Sequence, residues 1–394
     1  MKRLCKFFAS LCVMLMLGIT IFSGQSWGSN ACSGLVLSKG ATVDIATGVF
    51  PGIVHDGNRI VISYASGNDL YVRPYDTQFN PLAAATRITN VGNVTDHKHI
   101  FFQGYHYITY STIADKDLYL IKLDTGFNQV GTTVTVTANS TTTFSNDMLL
   151  GQDSTHLITG QFRPSDKNGG QSSGHLIKRY DADLNYIAPD IVANAFAHTN
   201  TASIGLIRDM IYIVAPSTPI QGGQVRTQRN LLLLRFDKTT WAAKDSTAIT
   251  LVDSNSMTHA NDGDGIWMST GLTYDTGNAC MFVGHTFSNG AGGSDGGDIY
   301  LRVFDGNTLT QTYSEVMVSS TSANRVHFLL GDNTLYAVYD ENAVIKALKY
   351  TLTYAKTSKL TGSDFNNDGK TDVLLQNSQT WIKYNIHGIF RVVP

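Results

Sequence analysis

The chain has 394 residues, 42% of them hydrophobic and only 15% charged, with a net charge of −2. That balance lacks the clustered Lys and Arg of a nucleic-acid surface and excludes that class of partner. The apolar fraction is enough for a large core, and 36 glycines with abundant Thr and Asn suit short strands joined by tight turns.

In chain order, residues 1–28 read as an export signal. Lys2, Arg3 and Lys6 form a basic start, Leu11–Phe22 is apolar, and Ser23, Gly24, Ser26 and Gly28 supply small residues for cleavage. The apolar run is shorter than the roughly 20 residues that span a bilayer, so no membrane span is expected after cleavage. The expected location is secreted: extracellular, including the cell surface, or periplasmic. Cys5 and Cys12 leave with the signal. Cys32 and Cys280 remain, either as one disulfide or as two buried thiols.

A strand unit then repeats: Asp69–Asp76 (DLYVRPYD), Asp117–Asn128 (DLYLIKLDTGFN), Gly174–Asp181 (GHLIKRYD), Asn230–Asp237 (NLLLLRFD), Asp298–Asp305 (DIYLRVFD) and Val344–Thr351 (VIKALKYT). The markers Asp76, Asp124, Asp181, Asp237, Asp305 and Thr351 are spaced by 48, 57, 56, 68 and 46 residues. Self-similarity near 40–50 residues in β-rich sequence is the signature of propeller blades. A second strand precedes each unit, as in Tyr105–Thr112 and Thr334–Glu341, and an inner strand precedes that, as in Asp96–Gly104. A Thr/Val-rich outer strand follows, as in Gly131–Asn139. The fold expected over residues 33–360 is all-β, a six-bladed β-propeller of four-stranded antiparallel blades, with seven blades as the alternative. Blade six lacks an outer strand of its own. Either Ser33–Gly40 completes it from the N-terminal side, the favoured closure, or Leu352–Leu360 does.

Long links join the second and third strands of blades three, four and five: Arg163–Ser173, Pro216–Arg229 and Ser288–Gly297. They lie on the face where the inner strands begin, and insertions on one face of a repeat protein often mark its binding face. The starts of the inner strands are rich in His, Asn, Asp and Arg. Candidate ligand-binding residues there are Asp96, His97, His99, Asp147, His198, His259, Asp262, Arg325 and His327. Such a rim can bind a polar ligand, supply an acid or base, or tie the blades together. His97 and His99 share one side of a strand, a spacing that permits metal chelation.

No GxSxG, HExxH or P-loop pattern is present. Asp262–Trp267 (DGDGIW) has the ingredients of the sialidase Ser/Thr-x-Asp-x-Gly-x-x-Trp hairpin but not its spacing. The reading is therefore a monomeric exported protein that binds an extracellular glycan or a protein surface. A polysaccharide hydrolase or lyase on the same scaffold is the alternative, and a non-enzyme is preferred.

Residues 361–394 carry a sharper motif, Asp364-Phe-Asn366-Asn-Asp368-Gly-Lys370-Thr-Asp372. Oxygen donors at positions one, three, five and nine, with a backbone carbonyl at seven, can surround a hard cation. Position twelve is Leu375, where an EF-hand needs Glu. The segment instead resembles the calcium loop of FG-GAP/VCBS repeats of secreted bacterial propellers. That resemblance covers about 30 residues and implies Ca²⁺ held by Asp364, Asn366, Asp368, the Lys370 carbonyl and Asp372. It also leaves the segment as a lone hairpin or a truncated repeat.

Overall fold

A computed structural model describes residues 31–89, 94–112, 117–137, 148–163, 174–193, 202–217, 220–221, 224–225, 230–245, 247–253, 265–288, 297–320, 322–354, 372–377, 380–385 and 390–393. The chain divides into two compact units, and Leu35–Thr353 is the larger.

That unit is a six-bladed β-propeller. Strands β1 (Leu35–Lys39) and β2 (Val43–Thr47) come first. Blade one is β3 (Val49–His55), β4 (Ile60–Ser66), β5 (Asp69–Tyr75) and β6 (Thr86–Arg87). Blade two is β7 (Val94–Phe102), β8 (Tyr105–Thr112), β9 (Leu118–Leu123) and β10 (Val134–Thr137). Blade three is β11 (Met148–Gln152), β12 (Leu157–Arg163), β13 (Gly174–Tyr180) and β14 (Tyr186–Ala193). Blade four is β15 (Ser203–Ile207), β16 (Met210–Ser217), β19 (Asn230–Asp237) and β20 (Ile249–Val252), with the small hairpin β17 (Ile220–Gln221) and β18 (Gln224–Val225) in its long link. Blade five is β21 (Gly265–Asp275), β22 (Cys280–Ser288), β23 (Asp298–Asp305) and β24 (Gln311–Val318). Blade six is β25 (Ala323–Gly331), β26 (Thr334–Glu341) and β27 (Val344–Tyr354), and β1 pairs with β27 to complete it. The N-terminal strand thus closes the ring. The second unit contains the antiparallel sheet β28 (Asp372–Asn377), β29 (Thr380–Asn385) and β30 (Phe390–Val393).

The core lies in the seams between blades. Ile62, Tyr75 and Phe79 of blade one pack on Val338 and Ile345 of blade six, and Val61 and Val72 pack on Ile108 and Leu123 of blade two. Leu120 and Phe102 meet Leu157 and Tyr180 across the next seam. Fully burying one such side chain is worth about 1.5–3 kcal/mol, so every seam needs apolar residues on both faces of its strands.

The marker aspartates are turn-makers. Asp76 Oδ1 accepts the N–H groups of Gln78 and Asn80, both at 2.8 Å. Asp181 does the same for Asp183 and Asn185, and Asp305 for Asn307 and Thr308. An Asx turn of this kind satisfies backbone donors that the strands have released. One turn residue, Phe79, Phe127, Leu184, Trp241 or Leu309, takes positive φ in each of the five marker turns, and the first four of these side chains are buried. The turns of this face are thereby pinned. The opposite face carries the starts of the inner strands and the ends of β12, β16 and β22.

Cys32 and Cys280, the described cysteines, are both disulfide-bonded. Among the described residues, no helix is long and apolar enough to cross a membrane.

Candidate functional site

The inner strands of three successive blades each carry an irregularity near the start. Pairing shifts between Val49 and Gly52 in β3, between Val94 and Asp96 in β7, and between Asn324 and His327 in β25. A bulge adds a residue, bends the strand and re-aims its side chains. Phe50 and Arg325, both in these bulges, adopt positive φ (58° and 45°), a conformation that costs a bulky residue of order 1–3 kcal/mol and tends to mark functional positions.

Together the bulges assemble one cluster. The Arg325 guanidinium of blade six lies 3.9 Å from the centroid of the Phe50 ring of blade one. Its Nη1 is 3.1 Å from Oδ1 of Asp96 in blade two. Asp340, register partner of Asn324, accepts the Phe50 N–H and lies close enough to Arg325 and Asp96 to feel both charges. Burial pushes the Asp340 carboxyl up to about 7, against the pull of Arg325. Asp96 and Arg325 are only 1% and 3% exposed.

The cluster is under-satisfied. Asp96 Oδ2, His97 Nδ1, Asn324 Oδ1, Arg325 Nε and Nη1, and Asp340 Oδ1 are buried and have no hydrogen-bond partner among the described residues. The Arg325 Nη1 contact with Asp96 is an ion pair, not an aligned hydrogen bond. Leaving a buried polar atom unpaired costs about 1–3 kcal/mol, so such a concentration requires an explanation.

Beside the cluster, His97 and His99 project from β7 onto blade one. His97 Nε2 is 2.8 Å and His99 Nδ1 3.2 Å from Ser63 Oγ. The spacing that permitted chelation places both rings on one hydroxyl. Gly52 makes room: a Cβ there would stand 2.7 Å from Ser63 Oγ and 3.3 Å from the His99 Cβ. His327 is half-buried and, with His99, lines an axial cavity of about 350 Å³ walled by all six inner strands, which also presents Lys98, Gln152 and Ser203. Burial is the main cause that holds all three rings far below the usual histidine range, His97 at about 3. They are neutral at physiological pH, each held below the ordinary histidine value near 6.5.

Of the candidate rim residues, Asp96, His97 and His99 of blade two and Arg325 and His327 of blade six therefore gather around the axis. Asp147, His198, His259 and Asp262 lie outside the described residues, as do Asp364, Asn366, Asp368 and Lys370. The backbone of Asp372 opens β28, a strand and not a helix, and the carboxylate and amide donors of the motif are of the type that suits Ca²⁺.

Sequence reasoning passed over Asp340, Ser63 and His106. Sister-strand comparison could have found two of them: Asp340 stands where the equivalent strands have Ala65, Ser111 and Pro216, and His106 where they have Ile60, Ile211 and Leu335.

No family model matches the chain, and a search of curated proteins finds no relative. Solved structures do match. The parainfluenza virus 5 hemagglutinin-neuraminidase at pH 8.0 aligns with 84% of this chain and 97% of its own, at a TM-score of 0.52 and 10% identity. The ectodomain of the same protein aligns with 90% of this chain and 96% of its own, at 0.51 and 10%. A luciferin-regenerating enzyme reaches 0.46 and 14% identity over 82% of this chain.

The likeness is one of fold. At such identities a shared propeller does not carry activity with it, because one scaffold hosts many unrelated sites.

Proposed function

We propose that the protein is an exported binding propeller whose long-link face engages a polar ligand, a glycan or a polar protein surface. One observation carries this reading: six buried polar atoms of blades two and six, none with a hydrogen-bond partner among the described residues, converge where the inner strands of blades six, one and two bulge. A ring clasp alone has no need of orphaned donors and acceptors, whereas a ligand or its bound water supplies their partners. The fold supplies a rigid frame, and the sequence places its longest links on the same face. Export follows from residues 1–28, and two disulfide-bonded cysteines suit an oxidising compartment. Ca²⁺ in the C-terminal segment, held by Asp364, Asn366, Asp368, the Lys370 carbonyl and Asp372, would tie that loop together. The test is a glycan array probed with the labelled mature protein, with Arg325→Lys as the comparison. Binding to a defined glycan class that the variant loses supports the reading. A wild type that captures neither glycans nor extracellular proteins from a defined panel sinks it.

A second reading, a polysaccharide hydrolase or lyase, draws on one feature. Asp96 and Asp340 stand near one arginine, and burial raises the Asp340 carboxyl to about 7; a carboxyl raised to that range can serve as a general acid or base. Release of new sugar ends from a polysaccharide, abolished by Asp340→Asn, would favour it over binding.

A further inference from the structure

A line of three hydrogen bonds, ended by one longer electrostatic contact, leads from the cluster to the face of pinned turns. His97 Nε2 meets Ser63 Oγ at 2.8 Å, and Ser63 Oγ meets His99 Nδ1 at 3.2 Å. His99 Nε2 meets His106 Nδ1 at 3.0 Å. His106 Nε2, which has no hydrogen-bond partner among the described residues, faces the Asp56 Oδ2 charge at 3.8 Å, an electrostatic contact beyond hydrogen-bond length. Asp56 is itself held by the N–H groups of Asn58 and Arg59 and by Arg59 Nε at 2.7 Å. The rings of Phe101 and Phe127 flank His106 at 4.9 and 5.2 Å, and His97, His106 and Ser63 are wholly buried. In that dry seam each hydrogen must be assigned consistently along the line.

The Asp56 end sets the direction. Despite its burial, the Asp56 carboxyl is held below its usual range by Arg59 and the two backbone donors, so it is an anion. Asp56 and, more weakly, Asp124 favour a proton on the neighbouring imidazole, while Arg59 opposes a full positive charge there. The neutral ring that satisfies this field carries its hydrogen on Nε2, towards Asp56. His106 Nδ1 is then an acceptor, which requires His99 to donate from Nε2. His99 Nδ1 becomes an acceptor in turn, Ser63 donates to it, and Ser63 accepts from His97 Nε2. At the far end of the line from Asp56, His97 Nδ1 is left with a free lone pair and no hydrogen-bond partner among the described residues. Arg325 and Lys98 lie near enough for their charges to act on that ring.

We infer that Asp56, His106, His99 and Ser63 form a positioning relay that locks His97 in its Nε2–H tautomer, so that its Nδ1 accepts a hydroxyl at the Asp96–Arg325–Asp340 cluster. This rests on the binding reading and narrows it to a glycan. The unpartnered atoms are then four acceptors (Asp96 Oδ2, His97 Nδ1, Asn324 Oδ1 and Asp340 Oδ1) against two donors on Arg325. A bare cation would suit the acceptors but not the guanidinium among them. Sugar hydroxyls suit both, since each donates one hydrogen and accepts others.

The relay is tested by ¹⁵N-histidine NMR of the intact mature protein, in which the two ring nitrogens report the tautomer directly. The expected spectrum shows His97, His99 and His106 as Nε2–H at pH 7. Asp56→Asn, which keeps an oxygen for the turn, should shift His97 towards a mixture of tautomers through three intervening side chains. Ser63→Ala should change His97 while leaving His106 as it is. A purely structural role would leave His97 unmoved in Asp56→Asn. An Nδ1–H tautomer for His97 in the wild type, or the absence of any change there in Asp56→Asn, overturns the relay. In parallel, affinity for oligosaccharides found on the array should fall about tenfold in Ser63→Ala, the loss of one well-placed hydrogen bond. If the wild type binds protein and no sugar, the glycan assignment fails; the spectra still decide the relay separately.

Discussion

Arg325 of blade six and Asp96 of blade two form an ion pair across the intervening blade, with the Phe50 ring beneath the guanidinium. Three blades are thus tied by one charged side chain, and the tie is almost wholly buried. Removing one partner of a buried pair leaves the other as an uncompensated charge, at a cost of about 3–5 kcal/mol. Arg325→Met should therefore lower the unfolding free energy by that order in urea titration. Arg325→Lys, which lacks the planar fork, should recover only part of it.

The pH dependence follows from the buried titratable groups. His97 and His106 have folded values of about 3 and 4 against an unfolded value near 6.5. Between those limits the unfolded chain binds more protons, so stability rises with pH and is lost as pH falls below 6.5. Each such histidine contributes a slope of about 1.4 kcal/mol per pH unit in that window. Asp340 works in the opposite direction: its folded value is about 7 against 3.8, so the folded state holds its proton between those values and gains on acidification. With His99, His285 and His327 also held low by burial, the histidines prevail. Urea midpoints should drop from pH 7 to pH 5, and His106→Leu should flatten that drop by about one proton. A midpoint that is flat or rises towards pH 5 would contradict the burial of these rings.

Gly52 is where blade one makes room for the histidine pair. Its Cβ position is 2.7 Å from Ser63 Oγ and 3.6 Å from His97 Nε2. Gly52→Ala should cost about 1–3 kcal/mol, the usual range for overpacking. It should also disturb the His97 and His99 ring resonances while leaving His285, in blade five, unchanged.

The C-terminal motif makes a metal-specific prediction. Calcium should raise the melting temperature of the mature protein, or of a separate transition belonging to the smaller unit, and chelator should remove the gain. Asp368→Ala should abolish it. Equal melting curves with calcium and with chelator would show the motif to be an Asx-rich turn.

Much of the ring was legible because its signals are local. The 46–68-residue spacing of the markers, five aspartates and Thr351, gave blade number. The markers proved to be Asx turns, a chemistry written in the side chain itself. The terminal strand that closes blade six was readable as an outer strand without a blade. The site was legible only by half. Asp96, His97, His99, Arg325 and His327 were visible as polar residues at the starts of inner strands. Their partners were not, because Asp340, Ser63, Asp56 and His106 belong to other strands and meet them only when neighbouring blades close. The neutrality of the histidines was not legible for the same reason: burial between blades, not residue type, sets it.

The most direct test of a ligand site at this cluster is calorimetric titration of oligosaccharides into the wild type and into Asp340→Asn. That variant keeps an acceptor for the Phe50 N–H and so should preserve the fold. The account predicts measurable heat of binding to the wild type and a loss of about tenfold or more in the variant, at unchanged melting temperature or above. Equal affinity in both proteins, or no binding to either, would contradict it and leave Arg325, Asp96 and Asp340 as a clasp that closes the ring.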